Sequence, residues 1–206
     1  RDLTPVEIFR ILDNQGLTSQ EIIADKYSGD PAIASELIIE SCLKKNISIL
    51  TLWDDEYPPL LKEIYNPPFV IYSTGKIPRT GMVSIVGTRD SDNLSESVTL
   101  KISSAISMAG FTIVSGMASG IDRYAHIGAL SAGGHTIAVL PGGVDKIYPY
   151  KNSDLYKMIR ESGSIISEYP PGTGIGQKWT FVRRNRIISG MSRAVIVTQA
   201  PLKSGA

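Results

Sequence analysis

The sequence predicts an α/β protein in which a doubly wound, mostly parallel sheet follows a small helical module. From about residue 80, short strands rich in β-branched residues alternate with longer helical segments, which is the rhythm of a parallel sheet. The charges are also divided: residues 1–66 contain 12 acidic and 6 basic side chains, and residues 67–206 contain 8 acidic and 15 basic. We therefore predict a helical domain with a connector over 1–66 and a sheet domain over 67–206 that faces an anionic partner.

Composition limits the classes of protein to which the chain can belong. Of its 206 residues 42% are hydrophobic, and no apolar run is long enough to span a membrane. The single cysteine, Cys42, cannot form an intramolecular disulfide, and two histidines without partner residues predict no metal cluster. We expect a cytoplasmic protein without a metal or cofactor, with Cys42 in the core.

Three short helices are predicted before the first strand. Thr4-Pro5 and Asp30-Pro31 each place a capping residue before a helix-starting proline, and Thr18 opens a segment between them. The apolar positions of the third helix are Ile33, Leu37, Ile38, Cys42 and Leu43. Because the region is acidic, we expect a structural or protein-binding role for it rather than contact with DNA.

A proline-rich connector leads into the sheet domain. Strands are predicted near 47–53 and 69–73, and the prolines between them favour rigid corners. Further strands are predicted at 83–86, 112–115, 136–140, 164–167 and 194–198, with helices near 93–109, 121–132, 153–161 and 181–189. Because the chain stops just after a strand, we expect the domain over 67–206 to be incomplete at its C-terminal end.

Four small-residue turns are predicted at one edge of the sheet, where parallel strands end. A buried strand at residues 83–86 leads into the first of them, and the second leads into a helix whose free N–H groups favour an anion. An open α/β sheet binds ligands at this edge, so we predict a phosphate-binding crevice there, although a turn with a surface arginine is the alternative for the first loop alone. The turns are Gly87-Thr88-Arg89, residues 115–120, Pro141-Gly142-Gly143 and Lys203-Ser204-Gly205.

Several nucleotide-binding and hydrolytic motifs are absent from the sequence. Gly116 and Gly120 do not complete a dinucleotide fingerprint, no phosphate-binding loop of the NTPase type is present, and no serine triad is apparent. Asp122 and His126 could share a helix face, which more often reflects local structure than catalysis. Glu168 follows a strand and could act as a base, but no partner that would raise its pKa can be named from sequence.

Cations and aromatic side chains are interleaved in residues 177–186. Cations neutralise phosphates and aromatic rings stack on bases, so this composition predicts binding of single-stranded DNA; a solvated basic helix face is the alternative. If a helix starts near Phe181, Arg183 and Arg186 share one face, and Ile187 and Ile188 supply the buried side. The binding residues predicted in this segment are Lys178, Phe181, Arg183, Arg184, Asn185 and Arg186.

The chain from about residue 50 onward resembles the DNA-processing protein A family (DprA, also called Smf). The resemblance rests on ordered matches throughout the sheet domain rather than on one motif. They are residues 84–89, residues 115–122 with Ala125-His126, residues 141–145 with Tyr148-Pro149 and Asn152, residues 167–172, residues 184–190 and Lys203-Ser204-Gly205.

The resemblance implies an extended Rossmann-like domain that binds single-stranded DNA without hydrolysing it, after a helical domain resembling a SAM domain. Such proteins protect incoming strands during natural transformation and load the RecA recombinase on them, usually as homodimers. At the positions that match the family's motifs, the resemblance implies that Arg89, with Gly87 and Thr88, holds a phosphate. It also implies that Lys178 contacts the DNA backbone and Phe181 a base, and that the Lys203-Ser204-Gly205 turn lines the same pocket. The predicted site also includes Ser115, Gly116, Lys151 and Asn152.

Departures from the family pattern leave parts of this prediction open. A position that is often basic in relatives is Tyr150 here, with Lys151 one step later, and the family's dimer surface lies largely beyond the Lys-Ser-Gly turn. The rival hypothesis is a nucleotide phosphoribohydrolase of the lysine-decarboxylase-like group, which shares a Pro-Gly-Gly turn, but Val144-Asp145 replaces its Gly-Thr and glutamate. A scaffold module without affinity for oligonucleotides is a third alternative.

Overall fold

The computed structural model describes residues 31–202 and Ser204. The helices predicted before residue 30, and with them the predicted SAM-like domain, lie outside the described residues. The same holds for Lys203 and Gly205 of the fourth predicted loop.

Among the described residues, seven strands form one sheet in the order β1-β2-β6-β5-β4-β3-β7, numbered along the chain. Strands β3 to β7 run parallel to one another, whereas β1 and β2 add an antiparallel edge beside β6. The predicted doubly wound, mostly parallel α/β sheet is therefore confirmed. The strands are β1 (Ser48–Thr51), β2 (Val70–Thr74), β3 (Met82–Val86), β4 (Thr112–Ser115), β5 (Thr136–Val139), β6 (Ser164–Ser167) and β7 (Ala194–Val197).

Helices cover both faces of the sheet. Alternate residues of the central strands point to opposite faces: Ile113, for example, packs against the helices at residues 93–108 and 121–131, whereas Val114 packs in a cluster with residues of the helices at 59–62 and 178–190. The helices are α1 (Pro31–Lys44), α2 (Pro59–Lys62), α3 (Asn93–Met108), α4 (Ile121–Ser131), α5 (Ser153–Ser162) and α6 (Lys178–Gly190), with a 3₁₀ turn at Tyr150–Asn152.

Helix α6 begins three residues before the predicted start near Phe181. Gln177 is extended, with φ −73° and ψ 173°, and its carbonyl accepts the backbone N–H and the hydroxyl of Thr180. This turn places Lys178 and Trp179 in the first helical turn, whereas the sequence had placed them in a loop.

Helix α1 contacts the sheet domain through few of its apolar residues. Cys42 is buried, as predicted, and Ile38 is half-buried, but Leu37 and Leu43 are 61% and 73% exposed. The end of the helix is tied to the loop after β5, where the Lys45 ammonium lies 2.5 Å from a carboxylate oxygen of Asp145. The apolar pattern that predicted the helix is therefore largely exposed among the described residues.

The order of the strands creates a switch point between β3 and β7. From β3 the chain adds β4, β5 and β6 on one side, and it then crosses to place β7 on the other side of β3. The loops after the two strands are joined directly, because the Thr88 N–H donates to the Gln199 carbonyl at 2.8 Å. A crevice outside the carboxyl ends of such strands is where open α/β sheets bind ligands.

Within the described part of the chain, no helix is long and apolar enough to cross a lipid bilayer.

We expect Gly120→Ala to destabilise the fold by about 3 kcal/mol or more, because Gly120 has φ 71° and ψ −130°, a region open almost only to glycine. A Cβ there would also overlap the Thr88 carbonyl. The control is Gly133→Ala, where φ is 69° but nothing lies within 4 Å of the added carbon, so about 1 kcal/mol is expected. Urea unfolding measures both, and equal losses would contradict the steric argument.

Candidate nucleic-acid interface

The loops that leave the carboxyl ends of β3, β4 and β5 meet beneath the N-terminal half of α6. The loop after β3 supplies Gly87, Thr88 and Arg89, and it is joined to α4 because the Ile121 N–H donates to the Thr88 carbonyl at 3.1 Å. Gly87 and Thr88 are half-buried, whereas Arg89 is exposed. The first loop therefore presents one guanidinium at the switch-point crevice.

Arg89 lies against an aromatic pair. Its guanidinium carbon is 5.2 Å from the centre of the Phe181 ring, and the Tyr148 ring centre is 5.4 Å from Phe181 at an interplanar angle of 60°. Tyr148 is 38% exposed and Trp179 is 50% exposed, and Lys178 is exposed in the first turn of α6. The structure thus brings together an exposed guanidinium, a kind of group that binds phosphates, and aromatic rings, a kind of group that stacks on bases.

Arg184 is buried, although the sequence placed it among the DNA-binding residues. Its Nη1 donates to the carbonyl of Gly116 at 2.8 Å and to the carbonyl of Val139, and its side chain lies on the same side of α6 as Ile187 and Ile188. Burial lowers the pKa of Arg184 to about 10, while the nearby Asp122 carboxylate favours its charged form. This location corrects the prediction, because a guanidinium that binds loop carbonyls inside the protein cannot reach a DNA phosphate.

Asp122 completes the buried arrangement around Arg184. Its carboxylate accepts from the N–H groups of Gly116 at 3.1 Å and Ala118 at 3.4 Å. Burial raises the pKa of Asp122, and the positive charge of Arg184 opposes that shift. Arg184 binds the Gly116 carbonyl and Asp122 binds the Gly116 N–H, so both residues fix the loop after β4 through its backbone.

Two further predicted contacts serve as internal braces. The Ser115 hydroxyl, fully buried, donates to the Ile85 carbonyl at 2.6 Å. Asn152 is 1% exposed, and its Nδ2 donates to the carbonyls of Met117 at 2.9 Å and Ala118 at 3.1 Å. Ser115 thus joins β4 to β3 and Asn152 holds the loop after β4, so both side chains are occupied inside the protein, which corrects their predicted direct contact with DNA.

The pattern of Asp122 and His126 is structural. The Nδ1 of His126 lies 2.7 Å from the Thr136 hydroxyl rather than bonding Asp122, and burial lowers the pKa of His126 to about 3. A histidine with that pKa is neutral near pH 7. The structure therefore assigns the two residues to the packing of α4.

Arg183 and Arg186 bind Glu168, the residue that follows β6. Arg186 Nη2 contacts Glu168 Oε2, and Arg183 Nε lies 3.3 Å from the same oxygen. Burial raises the pKa of Glu168, and the positive charges of Arg186 and Arg183 oppose that shift. The predicted shared face of the two arginines is confirmed, but a protein carboxylate already partly neutralises them.

The remaining predicted residues differ in exposure and in their hydrogen bonds. Asn185 is half-buried and accepts from Arg184 Nε at 3.2 Å. Lys151 is exposed on the 3₁₀ turn beside Tyr150, which is 80% exposed. Ser204 is half-buried, and its N–H donates to the Pro201 carbonyl at 2.9 Å.

Comparison with known proteins decides the family. The family described as DNA recombination-mediator protein A matches residues 48–206. The chain belongs to this family. Among curated relatives, protein Smf of Synechocystis sp. is 48% identical over 177 residues, which cover 82% of this chain and 44% of that protein. DNA processing protein DprA of Bacillus subtilis is 38% identical over 171 residues, which cover 82% of this chain and 57% of its own length. The chain thus spans about half the length of these relatives.

Solved structures of family members share the fold. DNA processing protein A of Streptococcus pneumoniae superimposes with a TM-score of 0.78 at 31% identity, over 97% of this chain and 74% of that one. The DNA processing protein A of Helicobacter pylori superimposes with a TM-score of 0.68 at 34% identity, over 77% of this chain and 72% of that one. The Helicobacter protein is described as binding single-stranded DNA in a unique mode.

Tyr148 lies in the candidate site, although the sequence did not predict it there. The resemblance to the family includes Tyr148-Pro149 but implies no role for the ring. Its signal was available, since an aromatic residue in the loop after β5 belongs to the same sheet edge as Arg89. The contact with Phe181 was not predictable, because it depends on how α6 lies over that edge.

We expect Arg184→Ala to reduce the free energy of unfolding by about 3–5 kcal/mol, because it leaves Asp122 buried without its cation and two carbonyls without their donor. Arg89→Ala is the control: Arg89 is exposed, so a change within about 0.5 kcal/mol is expected. Chemical denaturation measures both variants. An Arg184→Ala protein that unfolds like the parent would contradict the structural role.

Proposed function

We propose that this chain binds single-stranded DNA at the switch-point crevice, with a phosphate between Arg89 and Lys178 and a base against Phe181. The observation that carries the proposal is the contact of the exposed Arg89 guanidinium with the Phe181 ring at 5.2 Å, outside the carboxyl end of β3. A cation beside an aromatic ring supplies backbone attraction and sequence-independent stacking together.

The distribution of charge and the relatives support this proposal. Residues 67–206 contain 15 basic and 8 acidic side chains, so the sheet domain attracts a polyanion. The Helicobacter relative, 34% identical, is described as a protein that binds single-stranded DNA.

For the whole protein we propose a role in recombination in the cytoplasm. It would protect incoming single strands and load the RecA recombinase on them during natural transformation or general recombination, and it would act as a homodimer. The family description as a recombination mediator and the relatives named DNA processing proteins support this role. We further propose that the chain breaks no bond in the DNA.

The phosphoribohydrolase hypothesis has less support from the geometry. Such an enzyme requires a carboxylate available to substrate at this sheet edge, and Glu168, which follows β6 there, is bound by Arg183 and Arg186. Incubation with nucleoside monophosphates, followed by chromatography, measures base release. We expect none above the rate without protein, and catalytic release would favour the enzyme over the DNA-binding function.

We expect the chain to prefer single strands to duplex and to lose affinity steeply as salt rises, because binding releases counterions. Arg89→Ala and Lys178→Ala should each weaken binding of a dT oligonucleotide by roughly 1.5–3 kcal/mol, about 10- to 100-fold, through loss of a charge-assisted phosphate contact. Arg89→Lys should restore only part of the affinity, since an ammonium cannot donate two parallel bonds to phosphate.

The control for charge is Lys76→Ala. Lys76 is exposed after β2, which runs antiparallel to β6, so it lies at the opposite edge of the sheet. Fluorescence anisotropy across a salt series should show Lys76→Ala binding like the parent protein. Equal affinity for duplex and single strand, or a flat salt dependence, would contradict the proposed function.

Phe181→Ala separates stacking from charge. Loss of a stacked base should weaken binding by about 1–3 kcal/mol and leave the salt slope nearly unchanged. Lys178→Ala should instead reduce the slope by about 0.7, the value for one phosphate contact on a single strand. The same oligonucleotide titrations measure both quantities.

The control for Phe181 is Phe111→Ala, an aromatic residue that precedes β4 and is 38% exposed at the opposite sheet edge. Its affinity for DNA should equal that of the parent protein. A Phe181→Ala variant that melts at a much lower temperature, yet binds normally in its folded fraction, would show that Phe181 is a core residue and not a base platform.

A further inference from the structure

The contact of Glu168 with Arg183 and Arg186 has no role in the proposed binding of DNA by Arg89, Lys178 and Phe181. Only 6% of the Glu168 side chain is exposed, whereas Arg183 and Arg186 are 34% and 20% exposed. Both guanidinium groups contact the same carboxylate oxygen, Oε2. We call these three residues the Glu168 cluster.

The hydrogen-bonding capacity of the Glu168 cluster is only partly used. Arg183 Nε, Arg186 Nε and Arg186 Nη1 are buried without a hydrogen-bond partner among the described residues, and the same is true of Glu168 Oε1. Two guanidinium groups beside one carboxylate also leave one positive charge in excess. The cluster therefore has a positive charge that attracts a phosphate and N–H groups that the carboxylate does not satisfy.

The cluster lies beside the proposed path of the DNA. Phe181 and Arg183 are two residues apart on α6, so their side chains point to opposite flanks of the helix. Glu168 follows the parallel strand β6, which places the cluster at the same sheet edge as Arg89. Along the helix axis, Lys178 and Arg183 are separated by about 7.5 Å. A single strand held at Lys178 can thus reach the cluster by crossing the N-terminal half of α6.

We propose that Glu168 competes with DNA phosphates for Arg183 and Arg186, and that it thereby limits the affinity of the chain for single strands. The inference rests on the proposed function and adds a residue that opposes binding. Its physical basis is that a carboxylate on both guanidinium groups repels an incoming phosphate, and salt screens a buried charge poorly. Because Glu168 is part of the folded protein and not a separate ligand, it lowers the affinity for DNA in every binding event.

The test is Glu168→Gln, which removes the charge and keeps the shape. Binding of a dT oligonucleotide at low salt should become roughly 3- to 10-fold tighter. The salt slope should steepen by about 0.7 for each phosphate that the released arginines engage. Adding Arg183→Gln to Glu168→Gln should remove most of this gain, whereas Arg183→Gln alone should change affinity less, since Glu168 holds Arg183 in the parent protein.

The matched control is Glu161→Gln. Glu161 is exposed near the end of α5, beside the start of β6 and so at the opposite sheet edge, and the substitution changes the charge by the same amount. It should leave affinity and slope unchanged. If Glu161→Gln tightens binding as much as Glu168→Gln does, the effect is one of net charge and the proposal is overturned.

A paired comparison protects the test against loss of folding. If Glu168→Gln alone lacks a cooperative melting transition, the variant Arg186→Gln is compared with the double variant Arg186→Gln/Glu168→Gln. The double variant avoids two arginines that repel each other, because it removes one of them together with the carboxylate. The double variant should bind the oligonucleotide more tightly than Arg186→Gln. Folded Glu168→Gln protein that binds like the parent, or more weakly, would overturn the competition, and weaker binding would assign Glu168 to orienting the arginines. Absence of binding by the parent protein itself would instead reject the proposed function on which the inference rests.

Discussion

The carboxyl edge of the sheet depends on one buried cation, Arg184. Its guanidinium donates to carbonyls of Gly116 after β4 and Val139 in β5, while the Asp122 carboxylate accepts N–H groups from the loop beneath. A buried charge that has lost its hydration needs hydrogen-bond partners in fixed positions, because burying it without them costs several kcal/mol. These bonds therefore hold helix α6 over the sheet edge in one orientation about its own axis.

That orientation decides which side chains are available to a ligand. Because Arg184 points inward, Phe181, one turn earlier, lies beside it and meets Arg89, whereas Arg183 lies on the other flank and meets Glu168. A cation used for packing thus places the aromatic ring that the proposed DNA site requires. The same geometry explains why neighbouring arginines on one helix have unlike surroundings.

The sheet and the loops at its carboxyl edge could be predicted from sequence, because strand periodicity and small-residue turns are local signals. The roles of single residues in 177–186 could not be predicted, since Arg184 is defined by carbonyls that are 45 and 68 residues away. Asn152 is similar: its amide bonds the loop at Met117, and nothing in its own neighbourhood indicates that contact. The helix start at Lys178 was also not predicted, because it depends on the turn that Gln177 forms with Thr180. The local pattern therefore predicted which loops meet at this edge of the sheet, but it did not predict which of their residues are buried and which are exposed.

The three arginine environments suggest how a DNA-binding edge can remain reversible. Arg184 is withdrawn into the fold, Arg183 and Arg186 share a carboxylate, and Arg89 alone of these is exposed at the crevice. Affinity for single strands grows with the number of phosphates neutralised, so a basic segment that keeps most of its charge occupied binds less tightly than its composition implies. For a protein proposed to pass a strand to a recombinase, such restraint favours release, since a strand held by every cation of α6 would dissociate slowly.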